Sequence, residues 1–153
     1  MKNNLATGFD LEGDAIAHRN NNEEDPEATR WRASSEQLYR EALDAMPNNP
    51  KWRQNLANNL TKRGRFTEAL DELEIVWRYR NDLPPGQTLN VTELPMTMGL
   101  VAMNLHQDER AAHWLEVALD QDLDPRVVAV VRQKLAEVRQ RMGVPATGPV
   151  APE

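Results

Sequence analysis

The sequence contains no cysteine among its 153 residues, which excludes disulfides, thiolate catalysis and cysteine-ligated zinc or iron–sulfur sites. It also has no run of about 18 apolar residues, the length that a membrane-spanning helix needs, so we expect no membrane insertion. The N-terminus has no long apolar segment after Lys2, which is not typical of a secretory signal. With 40% hydrophobic and 27% charged residues, the composition indicates an ordinary globular protein, which we expect in the cytoplasm.

Basic charge is not in excess in either part of the chain, although Lys62, Arg63 and Arg65 form a small local cluster at the end of a predicted helix. The net charge is −6, and residues 1–28 account for most of it, with seven acidic residues against two basic ones. The remaining residues are nearly neutral, with 17 acidic and 16 basic side chains. An acidic segment repels phosphate backbones and nothing compensates for it here, so we expect no nucleic-acid partner.

Recognisable catalytic motifs are missing as well. The sequence has no glycine-rich phosphate loop, no nucleophile elbow and no HExxH motif. His106 and His113 could share a helix face, but no third ligand stands at a fixed spacing from them, which disfavours a metal site. We therefore predict no catalytic residue, no metal and no cofactor, and we interpret the chain as something other than an enzyme.

Two terminal segments differ from the rest of the chain. Residues 1–25 mix asparagine, glycine and acidic residues with isolated apolar ones, a pattern that predicts a flexible acidic arm. Residues 143–153 contain three prolines and predict a flexible, extended tail. Between them, residues 26–142 show helical periodicity throughout and no alternation typical of strands, so we predict an all-α domain.

Start and stop signals divide this domain into six predicted helices. Asp25–Pro26 and Asp124–Pro125 each combine a capping aspartate with a proline that suits the first helical turn. Pro84–Pro85–Gly86 interrupts the helical pattern in the middle. Short connections indicate antiparallel neighbours, which fit either a closed bundle or helix hairpins stacked as a solenoid. The predicted helices begin near residues 26, 50, 66, 92, 108 and 125.

A repeated pattern decides between these two architectures. Leu56–Ala57 and Leu60 precede Gly64 at a turn, and the next helix continues with Phe66, Ala69, Leu73 and Val76. These residues resemble a tetratricopeptide repeat. Ala42 and Val76 occupy equivalent positions 34 residues apart, which is the period of that family.

A second unit of the same kind follows the proline loop. Met98–Gly99 and Ala102 correspond to Leu56–Ala57 and Leu60 of the first repeat. Three residues of the next helix also match the pattern of the first repeat. His106 stands where glycine is usual, and Asp108 stands where an aromatic residue is usual. The three residues are Ala111, Leu115 and Ala118.

Half units flank these two repeats. Ser35, Tyr39 and Ala42 fit the second helix of an earlier unit, whose first helix we expect to be missing because residues 16–29 have the wrong pattern. The last helix resembles the capping helix that covers the final apolar face of a solenoid. The resemblance thus implies a short right-handed solenoid of antiparallel helix hairpins with a C-terminal capping helix.

The resemblance also implies a function, the binding of a protein or peptide without catalysis. In this family the first helices of the pairs line a concave groove, so we expect the partner-binding residues there. Asparagine can both donate to and accept from a peptide backbone, and methionine and leucine form an adaptable apolar floor. The predicted residues are Lys51, Gln54, Asn55, Asn58, Lys62, Met96, Thr97, Leu100, Met103 and Asn104.

Two functional interpretations remain open. The first is an interaction adaptor that binds one partner in the groove. The alternative is a structural subunit of a larger multiprotein complex, held by its outer helices and terminal arms. Self-association through the N-terminal arm is also possible, because the arm carries the apolar residues Leu5, Phe9, Leu11 and Ile16.

The repeat pattern predicts that Ala57 and Ala69 are buried where two helices cross. Replacing Ala69 by leucine should overpack this crossing and lower the free energy of unfolding by about 1–3 kcal/mol. Thermal denaturation measures the effect. A melting temperature equal to that of the wild type would contradict the repeat assignment at this unit.

Overall fold

The computed structural model describes residues 1–143, which form α-helices and no strand. The chain divides into two compact units, Met1–Leu89 and a second unit from Asn90 onward. The predicted tail lies outside the described residues except for Gly143. The helices are α1 (Lys2–Arg19), α2 (Pro26–Ala45), α3 (Pro50–Lys62), α4 (Phe66–Arg78), α5 (Leu94–Asn104), α6 (Asp108–Leu119) and α7 (Pro125–Arg141).

The predicted all-α fold and its two aspartate caps are confirmed. The Asp25 carboxylate accepts hydrogen bonds from the first free N–H groups of α2, at 2.9 and 3.2 Å. Asp124 does the same for the first turn of α7, at 2.8 Å. A proline follows each of them inside the first helical turn, where its missing N–H costs nothing.

The expectation of a flexible arm over residues 1–25 is corrected, because Lys2–Arg19 form a helix. This helix, α1, packs against α2 as the first hairpin of the first unit and supplies the helix that we expected to be missing. Most of its buried residues are small or polar, with Ile16 as the large apolar residue among them, so the hydrophobic periodicity of the segment is weak. The buried positions nevertheless recur at helical spacing, and they include Ala6, Asp10, Gly13 and Ala17.

The turns that close the three hairpins share one geometry. Each contains a residue with left-handed backbone: Asn21 (φ 48°), Gly64 (φ 70°) and His106 (φ 56°). In each turn the following residue donates its N–H to the carbonyl five residues earlier, at 2.9–3.0 Å, as in a Schellman motif. The pairs are Asn22 to Ala17, Arg65 to Leu60 and Gln107 to Ala102.

Small residues allow the helices of each repeat to approach closely. In the first unit, Ala57 and Ala69 are only 1% exposed, as predicted. In the second unit, Gly99 takes the role of Ala57, and a Cβ atom at Gly99 would come within 2.7 Å of Leu115 Cγ. The second crossing is therefore closer than alanine tolerates.

Helix α7 packs against α6 in the second unit, in agreement with a capping role. Its buried stripe consists of Val131, Leu135 and Val138. Ion pairs at its C-terminal half reinforce this contact. They are Arg139 with Glu116 at 2.7 Å and Arg141 with Asp108 at 2.5 Å.

The shared turn geometry predicts opposite effects of two substitutions. A side chain at positive φ strains the backbone, so His106→Gly should raise the free energy of unfolding by about 0.5–1 kcal/mol, whereas Gly64→Ala should lower it by about 1 kcal/mol. Urea denaturation of both variants tests this. Destabilisation by His106→Gly would show that the histidine side chain stabilises its turn.

Candidate partner-binding faces

The predicted binding residues of the first unit lie on the outward side of α3. Asn58 and Lys62 are exposed, while Lys51, Gln54 and Asn55 are half-buried. The buried leucines of α3 point to the opposite side, toward the core of the unit. Helical spacing therefore places the five predicted residues on one face, as the resemblance implies.

In the second unit, α5 presents a more apolar face. Thr97 and Asn104 are exposed, and Met96, Leu100 and Met103 are half-buried. No lysine or arginine occurs in this helix. The outward side of α5 thus offers half-buried methionine and leucine side chains flanked by polar groups, which suits an apolar part of a ligand.

Two predicted binding residues are instead held by α1. Lys62 Nζ donates to Asp14 Oδ2 at 2.5 Å, and Asn55 Nδ2 donates to Asn3 Oδ1 at 3.3 Å. These contacts place α1 beside α3, so α1 also contributes to the outward face of the first unit. This contribution could not be seen in the sequence, because the pattern of residues 1–25 predicts a flexible arm and not a helix.

A buried polar network fixes α1 in this position. The Asp10 carboxylate is 6% exposed and accepts hydrogen bonds from Asn59 Nδ2 at 2.6 Å and from the Tyr39 hydroxyl at 3.1 Å. Asn59 also donates to the backbone carbonyl of Arg32, at 2.8 Å. One carboxylate of α1 is thereby joined to side chains of both α2 and α3.

Arg32 neutralises another carboxylate of α1, that of Asp14. Its guanidinium group is buried and donates to Asp14 Oδ1 and to Glu23 Oε2, both at 3.0 Å. Asp14 therefore lies between two cations, Arg32 and Lys62. A buried charge is tolerated only with such partners, so this arrangement constrains the position of α1.

The basic cluster after α3 is also paired within the unit. The buried Glu36 carboxylate accepts hydrogen bonds from Arg40, Arg63 and Arg65, and Arg65 also pairs with Glu68. These side chains join α2 to the turn between α3 and α4. The cluster therefore stabilises the fold and offers no unpaired positive charge to an anion.

Neither a metal-ligand cluster nor a membrane-spanning helix occurs within residues 1–143. No group of three histidine or acidic side chains there has the arrangement that a metal ion needs. None of the helices in that range combines the length and the hydropathy of a membrane span.

The polar network predicts a pH-dependent effect of Tyr39→Phe. Burial is the main cause that raises the pKa of Tyr39 from 10.0 to about 12. At pH 7 the free energy of unfolding of the variant should be about 1 kcal/mol below that of the wild type, because Asp10 loses a hydrogen-bond donor. The folded protein keeps the phenolic proton between pH 10 and 12, where the unfolded chain releases it, so the wild type loses stability in that range. The free energies of unfolding of the wild type and the variant, measured by urea denaturation, should therefore converge between pH 10 and 12. The same pH dependence in both proteins would contradict the buried position of Tyr39.

Comparisons with known proteins agree with this architecture. Residues 23–89 match the family model described as tetratricopeptide repeat, a segment that begins after α1. No curated protein matches the sequence. The crystal structure of the Sgt2 TPR domain from Aspergillus fumigatus is similar, with a TM-score of 0.53 and 16% sequence identity over 97% of this chain and 86% of that chain. At that identity the likeness concerns the fold alone. Residues 23–89 therefore have the sequence pattern of the tetratricopeptide repeat, and the fold of the chain is that of a helical-repeat protein.

Proposed function

We propose that this chain is a non-catalytic adaptor that binds a partner protein or peptide through the outward faces of two repeat helices, α3 in the first unit and α5 in the second. The fold is that of a protein-interaction module in general. The observation that carries the proposal is a set of outward side chains that the fold itself does not use. They are Lys51, Gln54 and Asn58 on α3, which make no side-chain hydrogen bond within residues 1–143.

The amides of α3 favour recognition of a peptide backbone. Gln54 and Asn58 each offer both a donor and an acceptor, which is what an extended segment presents in alternation. Neighbouring Asn55 and Lys62 have their partners on α1. We therefore assign a positioning role to Asn55 and Lys62, and we expect direct contacts from Lys51, Gln54 and Asn58.

The outward side of α5 favours an apolar part of the partner. Met96, Leu100 and Met103 remain half-buried and flexible, so they can adapt to different side chains. Thr97 and Asn104 add exposed hydrogen-bonding groups at the same face. Since α5 has no cation, we do not expect it to bind a terminal carboxylate.

A role as a structural subunit of a larger complex is the second candidate. It is supported by exposed large apolar residues on other helices, Phe66 of α4 and Val130 of α7. Such a subunit would contact its complex through these outer helices. Self-association through the N-terminal segment and a cytoplasmic location both stay predictions.

The adaptor proposal predicts the loss of partner binding in a double variant. Asn58→Ala removes an amide from the α3 face, and Leu100→Asp places a charge in the apolar face of α5. A partner captured from lysate and identified by mass spectrometry should bind the wild type in calorimetry and bind this variant at least tenfold more weakly. Circular dichroism should show unchanged helical content.

A matched double variant on α7 provides the control. Gln133→Ala with Val130→Asp makes the same kinds of change at exposed positions outside the proposed faces. The adaptor proposal expects wild-type affinity from this control. The reverse result, with binding lost only in the α7 variant, would favour the structural subunit.

A further inference from the structure

The first hairpin, α1 with α2, has one side that no other helix of the first unit covers. Helix α3 packs on the opposite side, where Asn59 reaches Asp10. In a stack of helix hairpins each hairpin contacts its neighbours on both sides, and an end hairpin needs a polar outer side to be soluble alone. We call the uncovered side the end face. Its central residues are Leu5 and Phe9 of α1 with Trp31 and Leu38 of α2.

Helical spacing separates the end face from the side of the hairpin that meets α3. Leu5 lies about 140° from Asp10 around α1. On α2, Leu38 lies about 160° from Glu36, whose carboxylate pairs with arginines of the turn after α3. The end face therefore lies away from α3 and from the binding residues proposed there.

The centre of the end face is apolar. Leu5 is 51% exposed, and Phe9, Trp31 and Leu38 are half-buried. The rings of Phe9 and Trp31 pack edge to face, with centroids 4.9 Å apart. Trp31 and Leu38 also pack against the two buried clusters of the first unit. A fixed aromatic pair beside an exposed leucine is not the polar side of an end hairpin, which indicates that the end face meets another surface.

Contacts at two heights define how α1 and α2 are aligned. At one height Lys2 Nζ forms a salt bridge with Glu41 Oε2 at 2.8 Å. At the other, a Cβ atom at Gly13 would lie 3.1 Å both from the carbonyl oxygen of Ala28 and from Arg32 Cγ. With a rise of about 1.5 Å per residue, these contacts place Leu5 level with Leu38, and Glu12 within about 2 Å of the level of Arg30.

Charged side chains alternate along both helices of the end face, and at matching levels the two helices carry opposite signs. Arg19 and Glu27 form the third level, within about 5 Å of each other in height. Apart from Lys2 with Glu41, no salt bridge joins these side chains to any described residue, although Arg19 also attracts the Asp25 carboxylate. The six charges cancel. They are Lys2, Glu12 and Arg19 on α1, and Glu41, Arg30 and Glu27 on α2.

This order of charges makes the end face complementary to itself. A two-fold axis parallel to the helices brings α1 of one copy over α2 of another at the same height. Each cation on one helix then faces an anion on the other, and Leu5 faces a leucine. The net charge of −6 does not oppose this contact strongly, because the end face is neutral and charges further away are screened over about 8 Å at physiological salt.

We propose that a second copy of this chain occupies the end face and forms a two-fold homodimer. Leu5 packs on Leu38 of the partner subunit, Glu12 pairs with Arg30 of the partner subunit, and both contacts occur twice. One dimer thereby presents two copies of the α3 face. The inference is independent of the adaptor proposal, because it uses no residue of that face.

The size of the end face sets the expected affinity. Two helices of this length offer about 500 Å² per copy, which is at the low end of specific interfaces. We therefore expect a dissociation constant of about 1–100 μM.

Sedimentation velocity of the full chain between about 1 and 300 μM, a range that brackets this constant, tests the proposal. The wild type should change from monomer to dimer with rising concentration. Leu5→Asp places a charge in the apolar centre and should raise the dissociation constant about tenfold or more. The matched control Leu11→Asp makes the same change on the side of α1 away from the end face, and its dissociation constant should stay within about twofold of the wild type. Circular dichroism should show unchanged helical content in both variants.

Charge reversal tests the two-fold arrangement itself. Glu12→Arg and Arg30→Glu each place like charges opposite one another twice, so each variant alone should dimerise about fivefold more weakly or worse. In an equimolar mixture opposite charges meet again at both positions, so the mixture should form a dimer with about the wild-type affinity. A mixture that dimerises as weakly as its two components would overturn this pairing.

Other results would assign the end face differently. A wild type that stays monomeric up to about 300 μM would overturn the homodimer. A dimer that Leu11→Asp abolishes and Leu5→Asp does not would place the contact on another side of α1 and also overturn it. A monomeric wild type that loses its captured partner on Leu5→Asp would assign the end face to a different protein. The variant with Asn58→Ala and Leu100→Asp should dimerise like the wild type, so its loss of partner binding concerns the adaptor proposal alone.

Discussion

The hydrogen bonds of the buried Asp10 carboxylate determine how the first unit is built. A carboxylate that is 6% exposed is stable only if donors replace the water it has lost, and here Asn59 and Tyr39 supply them. Because these donors belong to α3 and α2, the carboxylate can be satisfied only when all three helices are together. The same constraint sets α1 beside α3, where Asn3 contacts Asn55 and Asp14 contacts Lys62.

Most of the fold could be predicted from local signals. The aspartate caps at Asp25 and Asp124, the turn at Gly64 and the apolar positions around Leu56 identify α2, α3, α4 and α7 without any tertiary information. Helix α1 could not be found in this way, because its buried side contains alanine, glycine and aspartate and, of the large apolar residues, only Ile16. Their spacing at residues 6, 10, 13 and 17 was the available signal, and it becomes visible only if small residues count as interface positions.

The position of the candidate residues on their helices could be predicted in part, whereas their role in binding stays a prediction. Helical register alone places Lys51, Gln54 and Asn58 on the outward side of α3, and this agrees with the structure. The contacts of Asn55 and Lys62 with α1 were not predictable, since each has its partner about 50 residues away on a helix that the pattern does not reveal. At His106 the residue departs from the family pattern, but the turn still has the left-handed backbone that the other hairpin turns have.

Hydrogen exchange of the backbone amides of α1 tests most directly whether this helix is an integral part of the repeat stack. If the Asp10 network holds α1 against α2 and α3, the amides in the middle of Lys2–Arg19 should exchange as slowly as those of α3, and in the same cooperative unfolding event. If the α1 amides exchanged at the rate of an unfolded chain while the α3 amides stayed protected, this would contradict the packing of α1 against α2 and α3 and would support a flexible N-terminal arm.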